Sequence, residues 1–250
     1  MSGALSKCVW AAKLVVRRFP GTYRAFVWYT TKVGHGKVYR VRLGPLKGFR
    51  WQRDNSTSFW YHLGLYEPHV AQLIASRLSP GKCFWDIGAN AGYHSLVAAR
   101  VVGPEGRVLA VEPHPSIART LRAQVSLNGL SNVFVHEAAV SGSPGQATLM
   151  ARANTLMSAL ATVTDEGEAV PVASVSLDSL LEYGAPDVVK IDIEGGETAA
   201  LRGAHEMLKR HPVMLLSVHG DTEPECRAIL QGHGYAVTPL TGFGQMILAK

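Results

Sequence analysis

From Lys82 onward, short apolar runs alternate with segments whose apolar residues recur every three to four positions. Residues 83–87, Cys-Phe-Trp-Asp-Ile, are apolar on both faces, which predicts a buried strand, and residues 95–102 predict the helix that follows. The rhythm repeats. Residues 108–111 predict a strand, and 115–127 a helix with Ile117, Leu121 and Val125 on one side. Further strands are expected at 133–135, 188–193 and 213–218, with a helix over about 197–209 between the last two. Segments 235–237 and 245–248 predict a terminal antiparallel pair. Strands separated by helices imply a mainly parallel sheet with helices on both faces, hence an α/β domain over residues 81–250.

The first 80 residues read differently, as an α+β extension. Residues 38–43 alternate polar and apolar, Gly44-Pro45 breaks the run, and 49–51 supply the partner of a small hairpin. Residues 67–78 have helical spacing, through Val70, Leu73, Ile74 and Leu78. A second departure is the stretch 142–175, rich in Gly, Ser, Thr and acidic residues. It reads as a lid or binding loop, or as disorder, and both readings stand.

Composition narrows the class. A chain of 250 residues that is 47% hydrophobic and 18% charged can bury a core, which excludes a disordered or collagen-like chain. The net charge is +6, and its placement matters more than its size. Twelve Lys and Arg precede the first acidic residue, Asp54. The basic field therefore belongs to the extension, as a solvated face or a binding surface. The three cysteines, Cys8, Cys83 and Cys226, form neither a zinc motif nor a disulfide framework, so a reducing cytoplasm suits them. No run spans a bilayer. Residues 5–19 have amphipathic helical spacing, for packing on the domain or on a second subunit, or for peripheral contact with a membrane surface.

The richest candidate chemistry is Asp86-Ile87-Gly88-Ala89-Asn90-Ala91-Gly92, between a strand end and a helix start. In open α/β sheets ligands bind at such carboxyl ends. Gly88 and Gly92 remove side chains where backbone must approach a ligand. The spacing is Gly-x-x-x-Gly rather than Gly-x-Gly-x-x-Gly. Asp86 places a carboxylate where a pyrophosphate would be repelled. Both details disfavour NAD and suit the cationic S-adenosylmethionine (SAM). Glu112 ends the second strand, where a carboxylate can accept from both ribose hydroxyls.

Residues 84–94, Val111-Glu112-Pro113, Asn128 and residues 189–197 (Val-Lys-Ile-Asp-Ile-Glu-Gly-Gly-Glu) together resemble the FkbM family of class I SAM-dependent methyltransferases. The Asp-Ile-Glu-Gly element at 192–195 is the most specific mark, and 44–48 and 64–68 resemble the family's upstream segments. The resemblance implies a Rossmann-like, seven-stranded, mainly parallel sheet with an antiparallel last strand. It implies methyl transfer, usually to oxygen, on a sugar, glycolipid or other secondary metabolite. By the same resemblance Asp86, Gly88, Asn90 and Gly92 line the methionine end of SAM, Glu112 holds the ribose, and Glu137 and Ala138 flank the adenine. The resemblance also implies that the region around Tyr61, His62, Tyr66 and Glu67 covers the site, and these residues are expected to contact the acceptor.

Methyl transfer to an alcohol needs alignment, exclusion of water and removal of a proton. Asp192, Glu194 and His219 face the right sheet edge. Asp192 sits beside the methyl, and His219 is a candidate base because its ordinary pKa is near neutral. The three could instead gather Mg²⁺, which lowers the pKa of a bound hydroxyl. Glu197 reads as an acidic first-turn residue. His94, at a helix start, reads as packing or as a contact to substrate.

Two other functions compete. A nucleic-acid methyltransferase could track phosphates with the basic extension, though no Asn-Pro-Pro-Tyr-like base pocket follows the fourth strand. A non-enzymatic module of the same fold could serve assembly, against which the intact set of Asp86, Glu112 and Asp192 argues. The expected partner is a small-molecule or glycan acceptor, with homo-oligomerisation open.

Overall fold

The computed structural model describes residues 36–53, 59–151, 158–160, 168–240 and 245–250. The amphipathic segment 5–19 and most of the basic field lie outside these residues. The chain divides into two compact units, one ending at Leu73 and one running from Ile74 to Lys250. The change falls earlier than the residue-80 boundary read from the sequence.

In the first unit, β1 (Val38–Arg40) pairs antiparallel with β2 (Arg50–Gln52), Val38 opposite Gln52. A short helix follows, α1 (Phe59–Leu63). The alternation at 38–43 thus yields a shorter strand than expected. Gly44 and Gly64 explain the turn beyond it. Both have positive φ, and a Cβ on Gly44 would stand 1.8 Å from the Gly64 carbonyl oxygen. Only glycine permits that approach. Leu46 and Trp51 are fully buried, and Tyr61 packs with ring centroids 5.1 Å from Trp51 and 4.3 Å from Tyr66. Helix α2 (Pro68–Arg77) carries the division between the units.

The second unit carries out the alternation. Its elements begin with β3 (Cys83–Ile87), α3 (Tyr93–Val102), β4 (Arg107–Val111), α4 (Pro115–Leu127) and β5 (Val133–His136). Then come β6 (Ala139–Val140), β7 (Gly145–Ala151), β8 (Ser158–Leu160) and β9 (Glu168–Val175). After a 3-10 turn at Ser179–Tyr183 follow β10 (Val188–Ile191), α5 (Glu197–Arg202), α6 (His205–Leu208) and β11 (Val213–Ser217). The last elements are α7 (Glu223–Gly232), β12 (Val237–Pro239) and β13 (Met246–Ala249).

Seven strands form the main sheet in the order β12-β13-β11-β10-β3-β4-β5. The five strands from β11 to β5 run parallel; β13 is antiparallel to β11, and β12 to β13. The chain moves outward from β3 to β5, then returns to lay β10 on the other side of β3. That reversal leaves a crevice at the carboxyl ends of β3 and β10. Trp85, Ile87, Leu109, Val189, Ile191, Met214 and Leu216 build the core on one sheet face.

Two expectations need correction. The stretch 142–175 is strand-forming where described. β7 and β9 pair along Gly145–Ala151, and β6 and β8 complete a four-stranded sheet with its own small core of Ala139, Leu149 and Val172. In β9 burial alternates, with Val172 and Ser174 buried and Ala169, Pro171 and Ala173 exposed, but the exposed positions are apolar too, so no polar–apolar alternation marks the strand in the sequence. The helix expected over 197–209 is two helices. Gly203 breaks it, lying where a Cβ would meet the carbonyl oxygens of Ser141 and Gly142 at 2.8 Å. The Asp178 carboxylate then caps α6, accepting from the backbone N–H groups of Glu206 (3.0 Å) and Met207 (2.8 Å).

Candidate active site

The turn after β3 is built by contacts within the protein. The N–H groups of Gly88 and Ala89 both donate to the Val111 carbonyl at 2.9 Å, tying the turn to the end of β4. Gly88 has φ +79°, and a Cβ there would stand 1.9 Å from the Asp192 carbonyl oxygen. Gly92 has φ +89°, and its Cβ would meet Leu121 at 2.2 Å. The residue after β10 and the packing of α4 therefore by themselves demand glycine at these two positions. Asn90 is left-handed at φ 51°, a conformation Asn tolerates, and its Oδ1 accepts from the Ala91 N–H at 2.7 Å.

Asp86 is fully buried. Its register partner on β10 is Lys190, so the two side chains share a sheet face. The Lys190 ammonium lies 3.5 Å from Asp86 Oδ1, and the Ser95 hydroxyl donates to Oδ2 at 2.7 Å. Burial pushes the Asp86 pKa up, against the pull of Lys190 and Ser95. Asp86 thus has a buried counter-charge in Lys190 and a hydroxyl donor in Ser95 at the end of β3.

Glu112 lies just past β4, buried, with both carboxylate oxygens engaged. Oε2 accepts from the Asn90 N–H at 2.9 Å and Oε1 from the His114 N–H at 3.0 Å. Burial raises its pKa to about 7, although those two amides lower it. Each oxygen keeps one lone-pair direction, and two hydroxyls on adjacent carbons would match them. Beyond β5, Glu137 is exposed and paired with Arg122 at 2.6 Å, while Ala138 is buried.

The second half of the site lies beyond β10 and β11. The Asp192 N–H donates to the Ile87 carbonyl, fixing the residue beside the glycine turn. Its Oδ2 stands 3.3 Å from Lys190 Nζ and its Oδ1 3.7 Å from His219 Nε2. Burial raises the Asp192 pKa, but Lys190 and His219 outweigh it and hold the carboxyl below its usual range. Glu194, left-handed at φ 54°, brings its Oε2 to 3.7 Å from the same His219 nitrogen. His219, Asp192 and Glu194 each keep roughly a third of the side chain exposed, and one ligand atom from each lies within 4.8 Å of the others.

Sequence reasoning passed over Glu197 and Lys190. Glu197 is no solvated first-turn acid, because its side chain is 0% exposed. Its Oε1 accepts from His219 Nδ1 at 2.8 Å and from the Gly195 N–H at 3.0 Å. His219 is pushed above its ordinary pKa, first by that bond to Glu197 and then by the negative charge of Glu194 and Asp192, against its burial. The motif Ile-Glu-Gly-Gly-Glu carried the signal, since an acid at the first turn of a short apolar helix can turn inward.

His94 is buried in the first turn of α3, and burial, with the charge of Lys190, drives its pKa down to about 3 against the pull of Asp192. Tyr61 is 3% exposed, its ring part of the aromatic packing of the first unit. Tyr66 and Glu67 are partly exposed in the same unit. His62 is buried, its pKa lowered to about 4 by burial and by Arg53.

The sheet order, the antiparallel β13 and a carboxylate at the end of the strand after the glycine turn define the class I, SAM-dependent methyltransferase fold. Within that class, residues 86–237 match the methyltransferase FkbM domain, and the chain belongs to that family. It is 25% identical over 162 residues to the hexuronic acid methyltransferase AglP of Haloferax volcanii, covering 64% of this chain and 65% of that protein. Over 70 residues it is 39% identical to a protein-L-isoaspartate O-methyltransferase of Ignicoccus hospitalis, 27% of this chain and 33% of that one. The chain thus spans less than two thirds of either relative. Among solved structures, precorrin-6y C5,15-methyltransferase from Geobacter metallireducens superposes with a TM-score of 0.49 at 22% identity, over 74% of this chain and 89% of that one.

Proposed function

We propose that this chain transfers a methyl group from SAM to a hydroxyl oxygen of a sugar or glycolipid. The observation that carries the reading is the juxtaposition of two sites across β3 and β10. Glu112 and the turn at 88–92 lie on one side; Asp192, Glu194 and His219 lie on the other. Glu112 has the free lone pairs and the burial to select a vicinal diol. The N–H groups opening α3 suit a carboxylate. The family fits SAM, and the relative named a hexuronic acid methyltransferase favours an acidic sugar as acceptor.

SAM, when bound, supplies a methyl on a sulfonium leaving group. The chain's own task is then to orient and deprotonate. As the new O–C bond forms and the C–S bond breaks, the hydroxyl proton must leave. The carboxylates of Asp192 and Glu194 and the His219 imidazole are the groups placed to receive it. Lys190 holds Asp192 in place, and Glu197 holds His219.

Calorimetric titration with SAM, S-adenosylhomocysteine and NAD tests the cofactor. Binding of the first two but not NAD, weakened in Glu112→Ala, supports the reading; a folded, ligand-free sample that binds none sinks it. Incubation with SAM and uronic-acid oligosaccharides then tests the acceptor, by the mass gain of one methyl for one hydrogen. The acceptor reading fails if only neutral sugars are methylated.

A further inference from the structure

We infer that His219 Nε2, rather than either carboxylate beside it, takes the acceptor's proton, and that Glu197 is the positioning residue that keeps the ring hydrogen on Nδ1. The inference rests on the proposed function and deepens it, by choosing among the three groups named there.

The first observation is the asymmetry of the ring. Nδ1 is closed, 2.8 Å from Glu197 Oε1 inside the protein. Nε2 is open. The carboxylate oxygens that face it, Asp192 Oδ1 and Glu194 Oε2, both stand 3.7 Å away, beyond a hydrogen bond. A carboxylate only accepts, so the hydrogen of a neutral imidazole lies on Nδ1. That leaves the lone pair on Nε2, in a side chain 33% exposed. The Thr222 hydroxyl donates to the His219 carbonyl at 2.8 Å, so backbone and ring are both held.

The second observation is Glu197 itself. Its side chain is 0% exposed, and Oε1 accepts from the Gly195 N–H as well as from His219. Oε2 is buried with no hydrogen-bond partner. An acid that served only the first turn of α5 would do so from water, without that cost. The ion pair with His219 is what offsets the burial. A buried carboxylate behind an imidazole holds the tautomer and stabilises the cation that forms when a proton arrives at the far nitrogen.

The third is the contrast with Asp192. Its Oδ2 stands 3.3 Å from the Lys190 ammonium. Burial raises its pKa, but Lys190 and His219 outweigh burial and hold the carboxyl below its usual range, which makes it a weak base. His219 moves the other way, raised first by the bond to Glu197 and then, against its burial, by the charges of Glu194, Glu197 and Asp192. The neutral ring is thereby the stronger base. In the transfer the acceptor's O–H bond breaks as its oxygen bonds the methyl carbon. The C–S bond breaks with its electron pair left on sulfur, and the proton goes to Nε2. The site gains a positive charge on His219 as the sulfonium loses one, and Glu197 is already placed against it.

The test has two arms. The first needs no acceptor. Nitrogen-15 NMR of the histidine-labelled full chain, with the His219 signal assigned by its loss in His219→Ala, reads the tautomer. Neutral His219 should carry its hydrogen on Nδ1 in wild type and mix the two tautomers in Glu197→Ala. The second arm measures methyl transfer from SAM to uronic-acid oligosaccharides. His219→Ala should lower kcat at least about 100-fold with SAM affinity kept. Glu197→Gln, whose amide oxygen still accepts from Nδ1 without the charge, should lower kcat about tenfold or more at unchanged KM. Circular dichroism confirms that each variant is folded, and the wild-type tautomer needs no variant to stay folded once assigned. His219 protonated on Nε2 in neutral wild type, His219→Ala as fast as wild type, or a Glu197→Gln loss confined to KM overturns the inference. The two readings separate. Methyl transfer with the wrong tautomer keeps the proposed function and overturns this inference. SAM binding with no oligosaccharide methylated overturns the acceptor reading, and the tautomer then decides the His219–Glu197 pair by itself.

Discussion

The Lys190 ammonium lies 3.5 Å from the Asp86 carboxylate, with both side chains at most 3% exposed. The pair bridges the two central strands, β10 and β3, at the point where the strand order reverses. Removing one partner strands a buried charge. Lys190→Met should therefore cost about 3–5 kcal/mol in denaturant unfolding. The double variant Lys190→Met with Asp86→Asn should recover part of that loss, because the orphaned charge is gone. Additive losses in the double variant would show that the pair is not coupled.

Glu112 should set stability against binding. Its folded pKa is raised to about 7, chiefly by burial, above the 4.5 of an ordinary Glu. Between those values the folded chain holds a proton that the unfolded chain releases, so this group's contribution falls as pH rises from about 4.5 to 7. At pH 8, Glu112→Gln should then be more stable than wild type by on the order of 3 kcal/mol while losing SAM binding. At pH 4 the two should unfold alike. Thermal unfolding across that range is the check, and equal stabilities at pH 8 would refute it.

His94 has the opposite sign. Burial, helped by Lys190, depresses its pKa to about 3 from 6.5. The unfolded chain takes up a proton that the folded chain refuses, so stability is full above pH 6.5 and falls as pH drops towards 3. The slope for one such group is about 1.4 kcal/mol per pH unit. His94→Phe should flatten the acid limb of the unfolding profile. An unchanged limb would place the acid sensitivity elsewhere.

Gly88→Ala should disable the turn. Its Cβ would meet the Asp192 carbonyl at 1.9 Å, and backbone cannot yield as a side-chain tip can. Gly103 also has positive φ, +67°, but nothing lies within 4 Å of its added Cβ. Gly103→Ala therefore measures the conformational strain alone. Gly88→Ala should cost clearly more than this control, beyond about 1 kcal/mol, with SAM affinity lost. Equal melting temperatures for the two variants would contradict the packing account.

The sequence by itself determined the parallel α/β sheet, most of its strands to within two residues, the glycine turn, and Glu112 and Asp192 at strand ends. Periodicity and turn chemistry are local, and residues such as Val188–Ile191 or Pro115–Leu127 state their element without help from distant parts. The small sheet in 142–175 and the break at Gly203 were not legible, because β7 finds its partner across the insert and Gly203 is dictated by the carbonyls of Ser141 and Gly142. The inward turn of Glu197 towards His219 and the matching of Lys190 to Asp86 depend on which strands become neighbours. A side chain's type is written in the chain, but whether its charge meets water or a buried counter-charge is settled only when β10 is laid against β3. That step gave Asp86 its buried counter-charge in Lys190, and the neighbouring β11 brought His219 to Glu197.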